Sequence, residues 1–430
     1  MKKSGHVATS VVLFLLCLMY LITYVDRVNI STAAIAFRKE LNFSASDYGD
    51  IFAAFGVSYA CFQIIGGWIG DRFGPRLTLG VCGAIWALST IFTGLANGYW
   101  GFILARLALG LGEGATFPTA TRAMSGWTRM GWRGFAQGIT HTFARLGNAV
   151  APPIVAALVV WWSWRASFVI LGLASLVWVI VWVIYFRDDP RTHSGISEAE
   201  LKILPTYRGG QHGSNPVPWR RLVPRMLPTT FVYFCYGWTL WLYLSWMPQY
   251  LQHAENLDIK AAAWFALAVG LAGMVGDTLG GMLSDWVFKL TGDLAKARRN
   301  VVIGSLLGSL VFLTPVFFVH DIALLAATLS AAFFCLELTI GPIWAVPMDI
   351  APQHAGTASG IMNTGSAIAA IASPWVFGHV IDWTGSWNLP FVGSIILLLV
   401  GAVLTFWMRP DRSMRRTRTS CASPSIEGTA

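Results

Sequence analysis

The chain alternates long apolar stretches with short polar connections. Apolar segments fall at about 9–36, 48–70, 77–97, 99–124, 134–160, 166–186, 227–251, 261–287, 300–319, 321–350, 355–381 and 389–408. Each is close to the roughly 20 residues that an α-helix needs to cross a hydrocarbon layer. The pattern predicts an all-α membrane protein with twelve transmembrane helices. The longest hydrophilic stretch, 187–225, lies at mid-chain and separates two six-helix bundles, 1–186 and 226–408. A tail, 409–430, is rich in Arg, Ser and Thr and is expected to be disordered. Lys2-Lys3, the apolar run from Val7 and Ala34-x-Ala36 mimic a cleaved signal. Asp26-Arg27 interrupts that run, which is also too long for a signal core, so an uncleaved first helix is expected.

Composition agrees with this pattern. Of 430 residues, 55% are hydrophobic and 12% charged, and the mean hydropathy is +0.58. Soluble domains carry about 25% charged residues. The 21 Trp and 43 Gly suit bilayer interfaces and close helix approach. The net charge of +9 is not read as a nucleic-acid footprint, because its distribution explains it. With the N-terminus inside, 23 of the 30 Lys and Arg fall on the cytoplasmic side, 4 outside and 3 within the membrane. Both termini and the linker are therefore expected in the cytoplasm. The basic tail either rests on anionic lipid or is simply solvated. The six Cys show no CxxC and no metal spacing, and five lie in apolar segments as small core residues. No metal and no cofactor are expected.

The two halves repeat one another. Gly66-Gly-Trp-Ile-Gly-Asp71 ends segment 2 and Gly280-Gly-Met-Leu-Ser-Asp285 ends segment 8, an offset of 214. Glu113 and Glu337 match at an offset of 224, and Gly147 with Pro152-Pro153 parallels Gly365 with Pro374. A repeat of half the chain points to a two-bundle transporter with its site between the bundles. An intramembrane enzyme would need a nucleophile–base pair or a metal cluster, and no HExxH, GxSxG or His/Cys/Asp cluster occurs. A channel would not need duplicated bundles with carboxylates.

Seven ionisable residues lie where the chain is expected to be inside the membrane: Asp26, Arg27, Arg106, Glu113, Arg145, Asp277 and Glu337. Each costs about 3 kcal/mol at a bilayer centre on insertion scales. Arg106 and Glu113 are two helical turns apart, so they share a face about 10 Å apart. Asp26 and Arg27 diverge by about 100° and need not share a task. A carboxylate beside an arginine in a low-dielectric cavity can load or lose a proton as that arginine moves or is neutralised. The bland alternative is a fixed ion pair between helices 1 and 4. Arg145 suits a second anionic group of a substrate, or a partner in Glu337 or Glu113. Asp277 is read as structural, beside a glycine-rich surface. Gly110-x-Gly112-x-Gly114 has no preceding strand and is read as close helix packing, not a dinucleotide loop. His141 and His379 are read as satisfied polar contacts.

Gly67-Trp-Ile-Gly-Asp71-Arg72-Phe-Gly74-Pro-Arg76 joins helices 2 and 3. Its glycines allow a tight turn, and Asp71 can cap helix 11 or meet an arginine across the bundle interface. This segment resembles the loop 2–3 signature of the major facilitator superfamily. Tyr24-Val-Asp26-Arg27-Val-Asn-Ile-Ser31 and Arg106-Leu-Ala-Leu-Gly-Leu-Gly-Glu113-Gly-Ala-Thr-Phe-Pro118 resemble its anion:cation symporters, which include sugar-acid:proton symporters and the sialin and vesicular glutamate transporters. Over nearly the whole chain the resemblance implies a monomeric, proton-coupled symporter of the bacterial inner membrane that imports a small organic anion. Asp26 and Glu113 would carry protons. Arg27, Arg106, Arg145, Tyr24, Tyr59, Tyr243, Trp344 and Asn363 would meet substrate. Gly67, Asp71, Arg72, Gly74, Arg76 and Asp285 would form the gate. Glu337 has no role in that pattern. Hydroxyls and amides suit a hydroxylated sugar acid (aldonate, uronate or aldarate). The alternative is an aromatic, multiply charged carboxylate or a sulfonate.

Overall fold

A computed structural model describes residues 7–205, 216–253, 259–319, 321–411 and 414. Among these the chain is helical and contains no strand. Lys2, Lys3, part of the linker and nearly all of the basic tail lie outside the described residues.

The first half contains α1 (Val7–Leu41), α2 (Ala45–Phe73), α3 (Pro75–Leu95), α4 (Tyr99–Gly114), α5 (Thr116–Trp127), α6 (Arg133–Trp161) and α7 (Trp164–Tyr185). A short α8 (Glu198–Ile203) lies in the linker. The second half contains α9 (Trp219–His253), α10 (Ile259–Thr291), α11 (Leu294–Leu313), α12 (Ile322–Glu337), α13 (Ile340–Ile350), α14 (Ala355–Thr384) and α15 (Leu389–Leu404). Helix α9 begins inside the stretch read as linker. Ten stretches are long and apolar enough to cross a membrane unaided. Helix α9 and the α4–α5 pair complete a set of twelve among the described residues.

Two of the twelve segments are broken. Segment 4 divides at Ala115 and segment 10 at Leu338-Thr339. Pro118 and Pro342 explain both breaks. A proline has no N–H to give the carbonyl four residues back and its ring crowds that carbonyl, here those of Gly114 and Leu338. Each break follows an intramembrane glutamate, Glu113 or Glu337, so the last turn before each break presents a carboxylate.

Lipid-facing surfaces are more apolar than buried ones. On α3, Leu77, Val81, Ile85, Leu88, Phe92 and Leu95 form the exposed face, while Trp86, Ser89, Thr90 and Thr93 are buried. That inversion suits a protein whose solvent is hydrocarbon. The Gly110-x-Gly112-x-Gly114 run works as packing: a Cβ on Gly112 would stand 2.7 Å from the Cys82 carbonyl oxygen, and one on Gly114 3.0 Å from that of Tyr59. Helix α4 is thus wedged between α2 and α3 backbone to backbone.

The halves meet along α2–α14 and α6–α10. The hydrogen bonds and ion pairs joining them, among the described residues, gather between the linker end and the middle of the molecule. At the opposite end, Glu40–Arg165, Asn97–Arg165 and Asp50–Tyr99 each stay within the first half. Among the described residues the two halves are therefore bonded to each other at the linker end and in the middle of the molecule.

Candidate functional site

The seal repeats one device in each half. Asp71, at the end of α2, accepts from the backbone N–H of Gly356 at 2.9 Å and of Thr357 at 2.6 Å, and from the Thr357 hydroxyl at 2.6 Å. It caps α14 of the other half and lies 3.5 Å from Arg122 of its own. Its counterpart Asp285 accepts from Gly134 N–H at 3.2 Å and Phe135 N–H at 2.8 Å, capping α6. A carboxylate there satisfies orphan amide donors and meets the positive end of the helix dipole. Gly67 lets α2 reach the Gly356 backbone, where any side chain would collide. Gly74 turns the chain at φ 85°. Arg76 stays within its half, bonded through its backbone N–H to Asp188 at 2.9 Å and through Nε to the Val183 carbonyl at 2.9 Å. Arg72 packs over Trp68 and Phe73. Of the six gate residues, Gly67, Asp71 and Asp285 meet the other half, and the two arginines do not.

Sequence reasoning treated Arg133 and Arg298 as loop charges. Both are fully buried. Asp349 accepts from Arg133 Nη1 at 2.9 Å and from Arg298 Nε at 3.0 Å, and Arg298 also reaches Asp285 at 2.9 Å. This chain of charges binds α6 of one half to α10, α11 and α13 of the other. Helix-end arginines and loop arginines look alike in composition, which hid it. Asp285 near the end of α10 and Asp349 in the last turn of α13 were the available signal.

Deeper in, Arg27 Nε donates to Glu113 Oε2 at 2.5 Å. Its guanidinium also lies over four rings, those of Tyr24 at 5.1 Å, Phe55 at 5.4 Å, Tyr59 at 4.6 Å and Phe117 at 5.2 Å. Such a box stabilises a cation in place of water. Arg106 lies against the same Phe55 ring, at 4.6 Å, and against Phe52. It is buried and has no carboxylate partner, and its Nε lacks an acceptor. Glu113 Oε1 and Arg27 Nη2 are likewise unpartnered. The site thus holds two cations flanking one ring, with one carboxylate between them in charge terms.

Asp26 points elsewhere, as the 100° divergence requires. Its Oδ2 accepts from Trp86 Nε1 at 2.9 Å and Ser175 Oγ at 2.8 Å, on α3 and α7. Arg145 does not meet Glu113. Its Nη2 donates to Glu337 Oε1 at 2.7 Å, and its Nε lies 3.6 Å from Asp277 Oδ2. Asn363 donates to Gln63 Oε1 at 2.8 Å, an amide pair that crosses the halves. Trp344 donates to the Tyr233 hydroxyl at 2.9 Å and meets His141 across the interface at 5.0 Å between rings. Tyr243 turns into the second half, its hydroxyl taken by the Leu329 carbonyl at 3.0 Å and its ring against Phe333. That bond removes it from the central group. Tyr24, Arg27, Tyr59 and Arg106 are brought together; Asp26 and Tyr243 are not.

Two duplicated bundles around a buried charged centre, sealed at one end, define the fold of an alternating-access secondary transporter. The profile of the Major Facilitator Superfamily matches residues 16–374 and again 290–422, so the chain belongs to that superfamily of multi-pass membrane transporters. It is 47% identical over 402 residues to a probable sulfoacetate transporter of Cupriavidus necator, covering 93% of each chain. It is 29% identical over 407 residues to a hexuronate transporter of Bacillus subtilis, covering 93% of this chain and 94% of that one. Among solved structures it resembles the transporter FucP in the outward conformation, with a TM-score of 0.69 at 15% identity, over 94% of this chain and 99% of that one.

Proposed function

We propose that this chain is a proton-coupled importer of a small organic anion, with its linker end in the cytoplasm of a bacterial cell. The observation that carries the proposal is the centre of the first half: Arg27 boxed by four rings and bonded to Glu113, with Arg106 beside it lacking a carboxylate. On this reading the sealed linker end faces inward, and the substrate enters from the opposite side. A proton on Glu113 removes its charge and frees Arg27. Arg27 and Arg106 then hold the anion together. After the bundles rock, proton loss on the inner side gives Arg27 back to Glu113, and the anion leaves. Asp26 lies away from this patch, with two donors on Oδ2 and none on Oδ1, so the proton step that frees Arg27 is assigned to Glu113.

The favoured substrate is a short sulfonated carboxylate. A sulfonate stays ionised across the physiological range, so it needs permanent cations, which arginines supply. The 47% identity to a probable sulfoacetate transporter supports this class over sugar acids. The sugar-acid reading retains one specific support, the Gln63–Asn363 amide pair, which suits hydroxyl groups. Uptake by proteoliposomes separates them. Sulfoacetate should accumulate and compete with itself at least tenfold better than galactarate or glucuronate do, and Arg106→Gln should lower its uptake by about two orders of magnitude, in line with loss of a charged partner in a desolvated site. Preferential uptake of the sugar acids would reverse the substrate assignment.

A further inference from the structure

The charges around Arg145 do not balance. One guanidinium faces two carboxylates, Glu337 and Asp277, and both are fully buried. The two acids are not treated alike. Glu337 is satisfied on both oxygens, Oε1 by Arg145 Nη2 at 2.7 Å and Oε2 by the Tyr236 hydroxyl at 2.9 Å. Neither oxygen of Asp277 accepts a hydrogen bond, and its distance of 3.6 Å from Arg145 Nε is too long for one. A buried carboxylate without donors is among the most costly groups a protein can hold. A protonated carboxyl at the same place is neutral and leaves the cluster balanced, one cation to one anion.

We infer that Asp277 is a second proton-binding residue of this transporter, protonated while the linker end is sealed. It lies on the wall between the halves, since a Cβ on Gly138 of α6 would collide with the Asp277 backbone carbonyl of α10. Glycine at 138 and 134 brings the two backbones into direct contact beside Asp277. When the halves part at the linker end, that contact opens. Water then reaches the Asp277 carboxyl, its O–H bond breaks, and the proton passes to that water and on to the inner side. Arg145 moves with the first half and leaves Glu337 at the same time, so the ion pair and the proton report one event. The titratable groups facing Asp277 are Arg145 from α6, Glu337 from α12 and, through Glu337, Tyr236 from α9. Tyr24 of α1 is the next within electrostatic reach. Helix α11 carries Lys296, Arg298 and Arg299 in its first turns and α13 carries Asp349 in its last, both at the linker end, where Arg298 and Asp349 bond one another. This proton is distinct from the one assigned above to Glu113, which answers to Arg27 within the first half.

Infrared spectroscopy of the full chain in lipid at neutral pH tests this without any substrate, so the outcome is independent of whether the transport reading holds. The spectrum should contain the carbonyl band of a protonated carboxylic acid that shifts in D2O. Asp277→Asn should abolish the band, and Glu113→Gln should leave it in place. Glu337→Gln provides the control for folding: with one carboxylate left to pair with Arg145, Asp277 should ionise and the band should also vanish. Absence of the band in the wild type, its survival in Asp277→Asn, its survival in folded Glu337→Gln, or its loss in Glu113→Gln would each overturn the assignment.

Discussion

The two broken helices are the instructive pair. Both place a buried glutamate one or a few residues before a proline-induced interruption, and both glutamates meet a partly buried arginine. Glu113 takes its arginine from α1 of its own half. Glu337 takes Arg145 from α6 of the other half. A pair inside one rigid bundle can persist while the bundles rock, so only chemistry, a proton or an anion, need disturb it. A pair across the interface must break whenever the halves separate. On the reading proposed above, equivalent positions in a duplicated fold take different work: the first as the anion and proton centre, the second as part of the latch. The linker-end network extends the second role, since Arg133 crosses the same boundary to reach Asp349.

The comparison breaks most visibly at that network. Asp349→Asn leaves Arg133 without its carboxylate and Arg298 with only Asp285. Removing one member of a buried ion pair costs about 3–5 kcal/mol. A lowered melting midpoint is expected, together with faster modification of Ser125→Cys, a near-isosteric change at a buried position beside Pro352 of the other half, by a thiol reagent from the linker end. Unchanged accessibility would show that cross-half charges do not hold the seal.

A smaller effect sharpens the other side, a contact outside the membrane and away from the halves' interface. Glu200 caps α8 in a reciprocal box with Ser197 and accepts from Thr9 N–H at 3.1 Å and its hydroxyl at 3.0 Å. Burial opposes its charge, but the donors from Ser197 and Thr9 outweigh that and hold the carboxyl below the usual glutamate value. A depressed value means the contact contributes stability above the ordinary glutamate range, about pH 4.3, and loses it as the pH falls through the depressed value. The protection of the Thr9 amide, its exchange rate compared with the intrinsic rate at the same pH, should fall on acidification in the wild type. In Glu200→Gln the protection should be lower at neutral pH and should no longer change with pH, with sulfoacetate uptake unaltered. Loss of uptake would place the linker contact within the transport cycle.

Much of the fold was legible because hydrocarbon imposes a coarse, readable constraint. Twelve apolar segments, the mid-chain linker and the half-chain repeat all follow from hydropathy and spacing. The breaks were not read, because Pro118 and Pro342 lie in runs that stay apolar throughout and hydropathy does not register a missing N–H. A glutamate followed five residues later by proline, once in each half, was the signal. Within the site, adjacency on one helix gave the divergence of Asp26 and Arg27, because helical geometry is local. The partner of Arg145 was left open between Glu113 and Glu337, because which of two distant helices faces it depends on bundle packing. Tyr243 shows the same limit: its hydroxyl could serve a cavity or a backbone carbonyl, and only the rotation of α9 decides.

The central claim is that Glu113 exchanges Arg27 for a proton during transport. The most direct measurement is steady-state sulfoacetate accumulation in proteoliposomes against an imposed pH difference at zero membrane potential, for wild type and Glu113→Gln. Each coupled proton multiplies the accumulation ratio tenfold per pH unit, the equivalent of about 1.4 kcal/mol. The account predicts that Glu113→Gln lowers that dependence by one such factor while exchange of internal for external sulfoacetate at equal pH continues. An unchanged dependence in Glu113→Gln would contradict it.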